Sequence, residues 1–592
     1  MRESGKAGSG QRVTGSGRRL QIFRMRRILL STAAALATTA CAGRIAPNNA
    51  TPTGGPYDVI IENGRIVDGT GNAWYYGDVA ISGDRIARVT PFGALSNAQA
   101  KRRIDAKGLV VSPGFIDIQS HSWDAVLWRD GRVVGKVTQG VTTEILGEAT
   151  TPAPINANML ALLDIPDSLP KLLALHKTFA GDHGFGAWLG AIDRHGNSVN
   201  VGSYLGAATV RAYAKGQAQG PATPAELDTM RAVVRHAMED GAFGLSSALI
   251  YPPGSYATTT ELIESAKAMS PYHGSYITHM RSEDDDLFNA MDEAFRIGRE
   301  GNVSVDLYHL KAAGRNNWSK APGMIAKIDS ARAAGLDVGA TMYPYAASAN
   351  GLSSCFPDWV AADGKLMSNL RDPAIRARVV ADMTKSGSCD PERSSAIAIM
   401  GYTKAELKKY EGWRLDQVMK DMHKSAPDAV IELTLAENDQ LGKINFSMTE
   451  ENVAMQLKRP WVVIGSDAGG QDPDSATGLT HPRSYGTFAR VLGKYVRTDG
   501  LLTLEDAVRK MTSATAARLK LRDRGMLREG MYADITVFDP VTIIDKATFE
   551  KPHQLSVGVK YVFVNGVAVV SDGKHTGAKP GRAVRGPGWT GR

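Results

Sequence analysis

The chain has 592 residues, a formal charge of +8, and 43% hydrophobic and 22% charged residues, a composition that suits a globular protein with material for more than one domain. The excess charge sits at the start: residues 1–27 hold eight Lys and Arg against Glu3, which leaves 61 basic and 60 acidic residues beyond them. A body so nearly neutral excludes the basic footprint that nucleic-acid binding requires.

Residues 1–24, rich in Gly, Ser and Arg, read as an extension ahead of a more natural start at Met25. Met25-Arg26-Arg27, the apolar run Ile28 to Ala37 and the small residues Thr38 to Ala42 form a secretory signal pattern over 25–42. It is too short for a spanning helix. Cys41 after small residues resembles a bacterial lipoprotein attachment site, so the expectation is a periplasmic protein, either lipid-anchored at Cys41 or cleaved nearby. Residues 43–56 read as a tether.

From Tyr57 short β runs are split by the turn signals Asn63-Gly64, Gly69-Thr70-Gly71 and Gly83-Asp84. The far end repeats this style in Ala533 to Phe538, Val557 to Val564 and Val567 to Val570. Residues 57–108 and 521–592 are therefore expected to form one small β-sandwich from both termini. Between them strands alternate with segments of helical rhythm, the helices over Thr223 to Asp240, Thr258 to Met269, Leu287 to Glu300 and Pro322 to Ala334. The strands are Leu109 to Ile118, Val141 to Gly147, Ser198 to Leu205, Phe243 to Ile250, Ser275 to Thr278, Val303 to Tyr308, Asp337 to Met342 and Trp461 to Ser466. Eight of them predict an α/β fold, a (β/α)₈ TIM-like barrel with its chemistry at the C-terminal strand ends. Strands one to seven fill 109–348, and strand eight with its following helices fills 461–520. Residues 349–460 are too long for a loop and are expected to be an inserted lid over the barrel mouth.

The strand ends carry Gln119 and His121 (one), Glu148 (two), Tyr251 (four), His279 (five), His309 with Lys311 (six), Tyr343 (seven) and Asp467 (eight). Asp117, Gln119 and His121, two apart, share a strand face. Most of the other histidines fall in helices, loops or the outer domain and read as surface or capping groups; His481, after strand eight, is open between structural and supporting roles. Glu148, His279 and His309 are the imidazole and carboxylate set of a catalytic zinc with a position left for water. Asp467 is placed to accept the water's proton and pass it to a leaving nitrogen.

These stretches resemble a family. PGFIDIQSH from Pro113, QGVTTEILGE from Gln139, GLSSALIYPPGSYATTTEL from Gly244, YITHMRSE from Tyr276, YHLKAAGRNNW from Tyr308, GSDAGG from Gly465 and HPRSYGTF from His481 are similar to the amidohydrolase superfamily and, within it, the N-acyl-D-amino-acid deacylases. The resemblance implies His279 and His309 as zinc ligands and Asp467 as general base. It further implies that Tyr251, Lys311, Tyr343 and Arg483 bind the substrate carboxylate. Two departures stand out: Gln119-Ser120-His121 replaces the family's His-x-His, and Glu148-Ala149 stands where many members have a metal-binding Cys. The expectation is one tightly held zinc on Glu148, His279 and His309. His121 marks a weak second position, with Gln119 either a weak ligand or a group behind the ligands.

The resemblance implies hydrolysis of the linear amide of N-acyl-D-amino acids, small molecules, to a carboxylate and a free D-amino acid. A dipeptidase for D-residue peptides needs the same core and differs in the acyl pocket. A cyclic-amide hydrolase of the hydantoinase or dihydroorotase type would want a bridging strand-end Lys, which is missing. A non-catalytic binding protein would not need all of Glu148, His279, His309 and Asp467. Cys355 and Cys389, both in the insertion of an exported chain, are expected to pair.

Overall fold

The structure is a computed structural model that describes residues 56–591 apart from 164, 166–168, 387, 388 and 390. The signal pattern, Cys41 and the N-terminal extension lie outside the described residues. No described helix is long and apolar enough to cross a membrane.

The barrel strands are β1 (Phe115–Asp117), β2 (Val141–Leu146), β3 (Asn200–Ser203), β4 (Gly244–Ala248), β5 (Ser275–His279), β6 (Val305–Leu307), β7 (Val338–Met342) and β8 (Val462–Ile464). All pair in parallel in chain order, and β3 resumes after Tyr204 as Leu205–Gly206 to meet β4. Closure between β8 and β1 comes just past the strands, where Asp467 N donates to Gln119 O at 2.8 Å and His121 N to Ala468 O at 3.1 Å. The four expected helices form as Pro224–Asp240, Thr259–Met269, Leu287–Gly301 and Ala321–Ala333. Thr223 starts the first with a capping box to Glu226, satisfying two backbone donors that the first turn leaves open.

The expected first strand proves to be two. Val110–Pro113 pairs with Ile535–Phe538 and belongs to the outer domain, whereas Phe115–Asp117 belongs to the barrel. Gly114 joins them. A side chain there would stand 2.2 Å from Thr142, so only glycine lets the chain pass from one sheet to the other. Among the described residues the outer sheet has nine strands, drawn from Tyr57–Pro113 and from Ile535–His575. Its core joins Val59, Ile61, Val79 and Val111 to Ile535, Val537 and Phe563.

The insertion has its own core, from Leu352 and Val360 through Val379 to Val430 and Leu441, and a three-stranded antiparallel sheet of Ser348–Gly351, Gly442–Asn445 and Ile397–Met400. Cys355 and Cys389 are disulfide-bonded within it. Helix Glu450–Leu457, assigned to the insertion from sequence, instead packs Val453 and Leu457 into the main core beside β8.

Candidate functional site

Three acceptor atoms converge at the mouth of the barrel. Glu148 Oε1 lies 3.2 Å from His279 Nδ1 and 3.3 Å from His309 Nε2, and the two ring nitrogens are 3.0 Å apart. His279 ends β5, while His309 (φ 34°) and Asp467 (φ 52°) follow β6 and β8 in the left-handed region that side chains avoid. Strain of this kind persists where the surrounding fold enforces it, and here it turns strand-end side chains inward.

Glu283, absent from the expected set, stands behind both imidazoles. Its Oε1 is 3.0 Å from His309 Nδ1, and its Oε2 is 3.4 Å from His279 Nε2, close but outside hydrogen-bond geometry. Glu283 also accepts from Lys311 Nζ, whose ammonium can only donate and stands 2.7 Å from His309 Nδ1, so carboxylate and ammonium together hold the two rings with His279 Nδ1 and His309 Nε2 turned toward Glu148. Two imidazole nitrogens and a carboxylate meeting this closely need positive charge among them, from protons on the rings or from a metal ion in their place. Burial works to lower the His279 pKa, but Glu283 and Glu148 outweigh it and push the group up to about 9. Glu148 itself is held well below the usual carboxylate range: burial raises it, and hydrogen bonds to His121, His279 and His309 prevail. This donor set fits a divalent metal such as zinc.

A second triplet, His121, Glu148 and Asp467, shares Glu148 with the first. His121 Nε2 is 2.9 Å from Asp467 Oδ1 and 3.4 Å from Glu148 Oε2. Gln119, however, shows this site its donor end: Nε2 bonds Glu148 Oε2 at 2.7 Å, while Oε1 accepts from Thr341 Oγ1 at 2.8 Å. The carboxylate must accept, which sets the amide's orientation, and Thr341 is itself held by the His309 backbone N–H. Gln119 is thus a brace on Glu148 rather than a ligand. Asp117, expected to share a face with Gln119 and His121, turns to the floor beneath, where it and Glu144 flank the fully buried Lys136 at 2.6 and 3.2 Å.

Asp467 Oδ2 is 2.6 Å from Arg483 Nη1. That nitrogen lacks an aligned hydrogen bond, so the contact is charge against charge. Burial raises the Asp467 pKa, but Arg483 leads the charges that bring it below its ordinary value. Arg483 also lies 4.7 Å over the ring of Tyr343, whose buried hydroxyl has no hydrogen-bond partner among the described residues. Tyr251 stacks edge-on to His279 and accepts from Asn350. A 580 Å³ cavity brings His121, Glu148, Tyr251, His279, His309, Asp467 and Arg483 together, walled by Asn350, Met400 and Leu441 of the insertion. Lys311 does not line it; its ammonium is held by Glu283 beside His309 Nδ1. His481 is buried, anchored to Ala347 O at 2.9 Å and accepting from Arg483 N, and so positions that arginine's helix.

Glu283 had a sequence signal, an acid four residues past His279 inside YITHMRSE. Thr341 and Lys136 had none, because each lies inside an apolar run whose partners come from distant segments.

The amidohydrolase family model matches residues 365–570. D-aminoacylase of Alcaligenes xylosoxydans xylosoxydans is 36% identical over 534 residues, covering 89% of this chain and 98% of that protein. A D-aminoacylase structure, from work on the role of its binuclear metal center, superposes with a TM-score of 0.73 at 34% identity, covering 90% of this chain and all of that one. N-acyl-D-glutamate deacylase from Bordetella bronchiseptica, solved with zinc and a phosphonate mimic of the tetrahedral intermediate, gives 0.73 at 30% identity with the same coverage.

Proposed function

The chain belongs to the D-aminoacylase family of amidohydrolases, and from that premise we propose that it hydrolyses the linear amide of N-acyl-D-amino acids to a carboxylate and a free D-amino acid. The observation that carries this reading is the convergence of Glu148, His279 and His309 with Asp467 on one cavity. When bound there, zinc supplies the acidity that activates water and polarises an amide carbonyl. Asp467, kept ionised by Arg483 and oriented by His121, takes the water's proton on Oδ1 and returns it to the departing nitrogen. Arg483 and Tyr251, which line the cavity, receive the substrate carboxylate, and Tyr343, buried outside that lining, backs Arg483 with its ring. Arg483 is not locked in a hydrogen bond to Asp467. Lys311, tied to Glu283, contributes by keeping that carboxylate charged and the two imidazoles aimed.

The test is hydrolysis of N-acetyl-D-leucine, N-acetyl-L-leucine and a hydantoin by purified, zinc-supplemented enzyme. Turnover of the D-amide alone is the expected result; cleavage of the hydantoin instead of the D-amide would overturn it.

The protein is further proposed to be exported to a bacterial periplasm through residues 25–42, with a lipid on Cys41 or cleavage nearby. The disulfide between Cys355 and Cys389 supports an oxidising destination. Mass spectrometry of envelope-fraction protein decides it, and an unprocessed N-terminus in the cytosol is the contrary result.

A further inference from the structure

A second cavity, of 550 Å³, lies between the insertion's sheet and the barrel, and Asn350 walls both it and the metal-site cavity. Lys443, on the central strand of that sheet, lines it and is only 7% exposed. No carboxylate of the described residues comes within 4.0 Å of its ammonium, in contrast to Arg281, paired with Glu293, and Arg393, near Asp284 and Asp285. One of the three ammonium donors bonds Asn445 Oδ1 at 3.0 Å, which leaves two for a ligand. Burial alone lowers its pKa, to about 8, with no acid to oppose it. Arg315 adds a second cation to the lining, set over the Trp318 ring and likewise without a carboxylate within 4.0 Å.

The cavity is wired to the reaction centre. Asn445 Nδ2 donates to Asn350 Oδ1 at 3.1 Å, Asn350 Nδ2 donates to Tyr251 Oη at 3.1 Å, and the Tyr251 ring stacks on His279. An unpaired buried ammonium is costly unless a partner arrives, and this one lines a cavity that shares the Asn350 wall with the metal-site cavity. We propose that this cavity is a subsite for a second carboxylate of the substrate, carried on the D-side chain or on the acyl group, with Lys443 as its cation and Arg315 at its edge. The assignment rests on the deacylase reading of the neighbouring cavity and narrows it to doubly acidic substrates.

The test compares zinc-loaded wild type, Lys443→Met and Lys443→Arg on N-acetyl-D-glutamate, N-succinyl-D-leucine and N-acetyl-D-leucine. In Lys443→Met the kcat/KM of one doubly acidic substrate, relative to N-acetyl-D-leucine, is expected to fall at least tenfold, chiefly through KM, and Lys443→Arg to recover most of it. Whichever of the two substrates responds identifies the arm that enters the cavity. Calorimetric titration with glutarate reads the subsite without turnover, so it still decides if no N-acyl-D-amino acid is cleaved and the deacylase reading fails. A tenfold loss of glutarate affinity in Lys443→Met supports the subsite. Equal glutarate affinity in wild type and Lys443→Met, or an unchanged substrate ratio, overturns it. Lys443→Met removes an unpaired buried charge and should melt no lower than wild type, so a lost ratio is not a folding defect.

Discussion

Gln119 and Glu283 support different members of one ligand set, Gln119 bonding Glu148 and Glu283 standing against His279 and His309. Gln119 occupies the place where a second imidazole would extend the His121, Glu148 and Asp467 triplet, yet it presents an N–H to Glu148. Wild type should retain about one zinc per chain after dialysis. Gln119→His should retain about two, because the brace becomes an acceptor with a lone pair. Two zincs in wild type, or one in the variant, contradicts this account of the amide. Glu283 bears on affinity: groups that orient a ligating imidazole from behind typically contribute 10- to 100-fold. Glu283→Gln is expected to weaken zinc by about that factor in chelator competition, with His279 and His309 intact. Unaltered affinity would mean that the two histidines are positioned by packing alone.

The insertion contributes a wall, a disulfide and a buried charge, and the last two have opposite effects on stability. The disulfide closes a sequence separation of 34 residues, for which the chain-entropy model gives about 3–4 kcal/mol. Replacing both cysteines by serine should expose the insertion to limited proteolysis before the barrel, since its core is separate from the main one. Simultaneous loss of both would contradict that independence. Lys443 costs stability instead. Its ammonium titrates near 10.5 when unfolded and at about 8 when folded, a difference of about 3 kcal/mol. Between these values the unfolded chain holds a proton that the folded chain has lost, so stability rises with pH across that window, and below pH 8 the penalty is present in full. The advantage of Lys443→Met over wild type in melting temperature should therefore be large at pH 7.5 and small at pH 10. A gap independent of pH sinks the idea.

At the scale of the molecule, both ends of the described residues are built into the barrel's support. The C-terminal segment continues past the outer sheet to β3, where Val201 N donates to Arg582 O at 3.0 Å and Val584 N to Val201 O at 2.8 Å. Val584 then joins Ile145, Tyr204 and Phe243 in the barrel's interior cluster. Ending the chain at Pro580 should cost about 1.5–3 kcal/mol from that valine alone and lower the melting temperature without altering metal stoichiometry. A melting temperature equal to full length would show the tail to be dispensable.

The repeating strand and helix rhythm, the polar residues at the ends of β2, β5 and β6 and after β8, and the β-rich termini were legible in the sequence, because periodicity and turn chemistry are local. The same holds for Cys355 with Cys389, since the expectation needed only their shared segment and compartment. Where Leu109 to Ile118 divides could not be read there, because the break at Gly114 is set by Thr142 across space. The direction in which Gln119 points depends on a hydroxyl 222 residues away. Lys311 and Arg483 looked alike as cations near the mouth, but one is taken up by Glu283 and the other faces the cavity. Which polar group is a ligand, a brace or an unpaired charge is decided by its neighbours' lone pairs and protons, and only the closed barrel and its insertion bring those neighbours together.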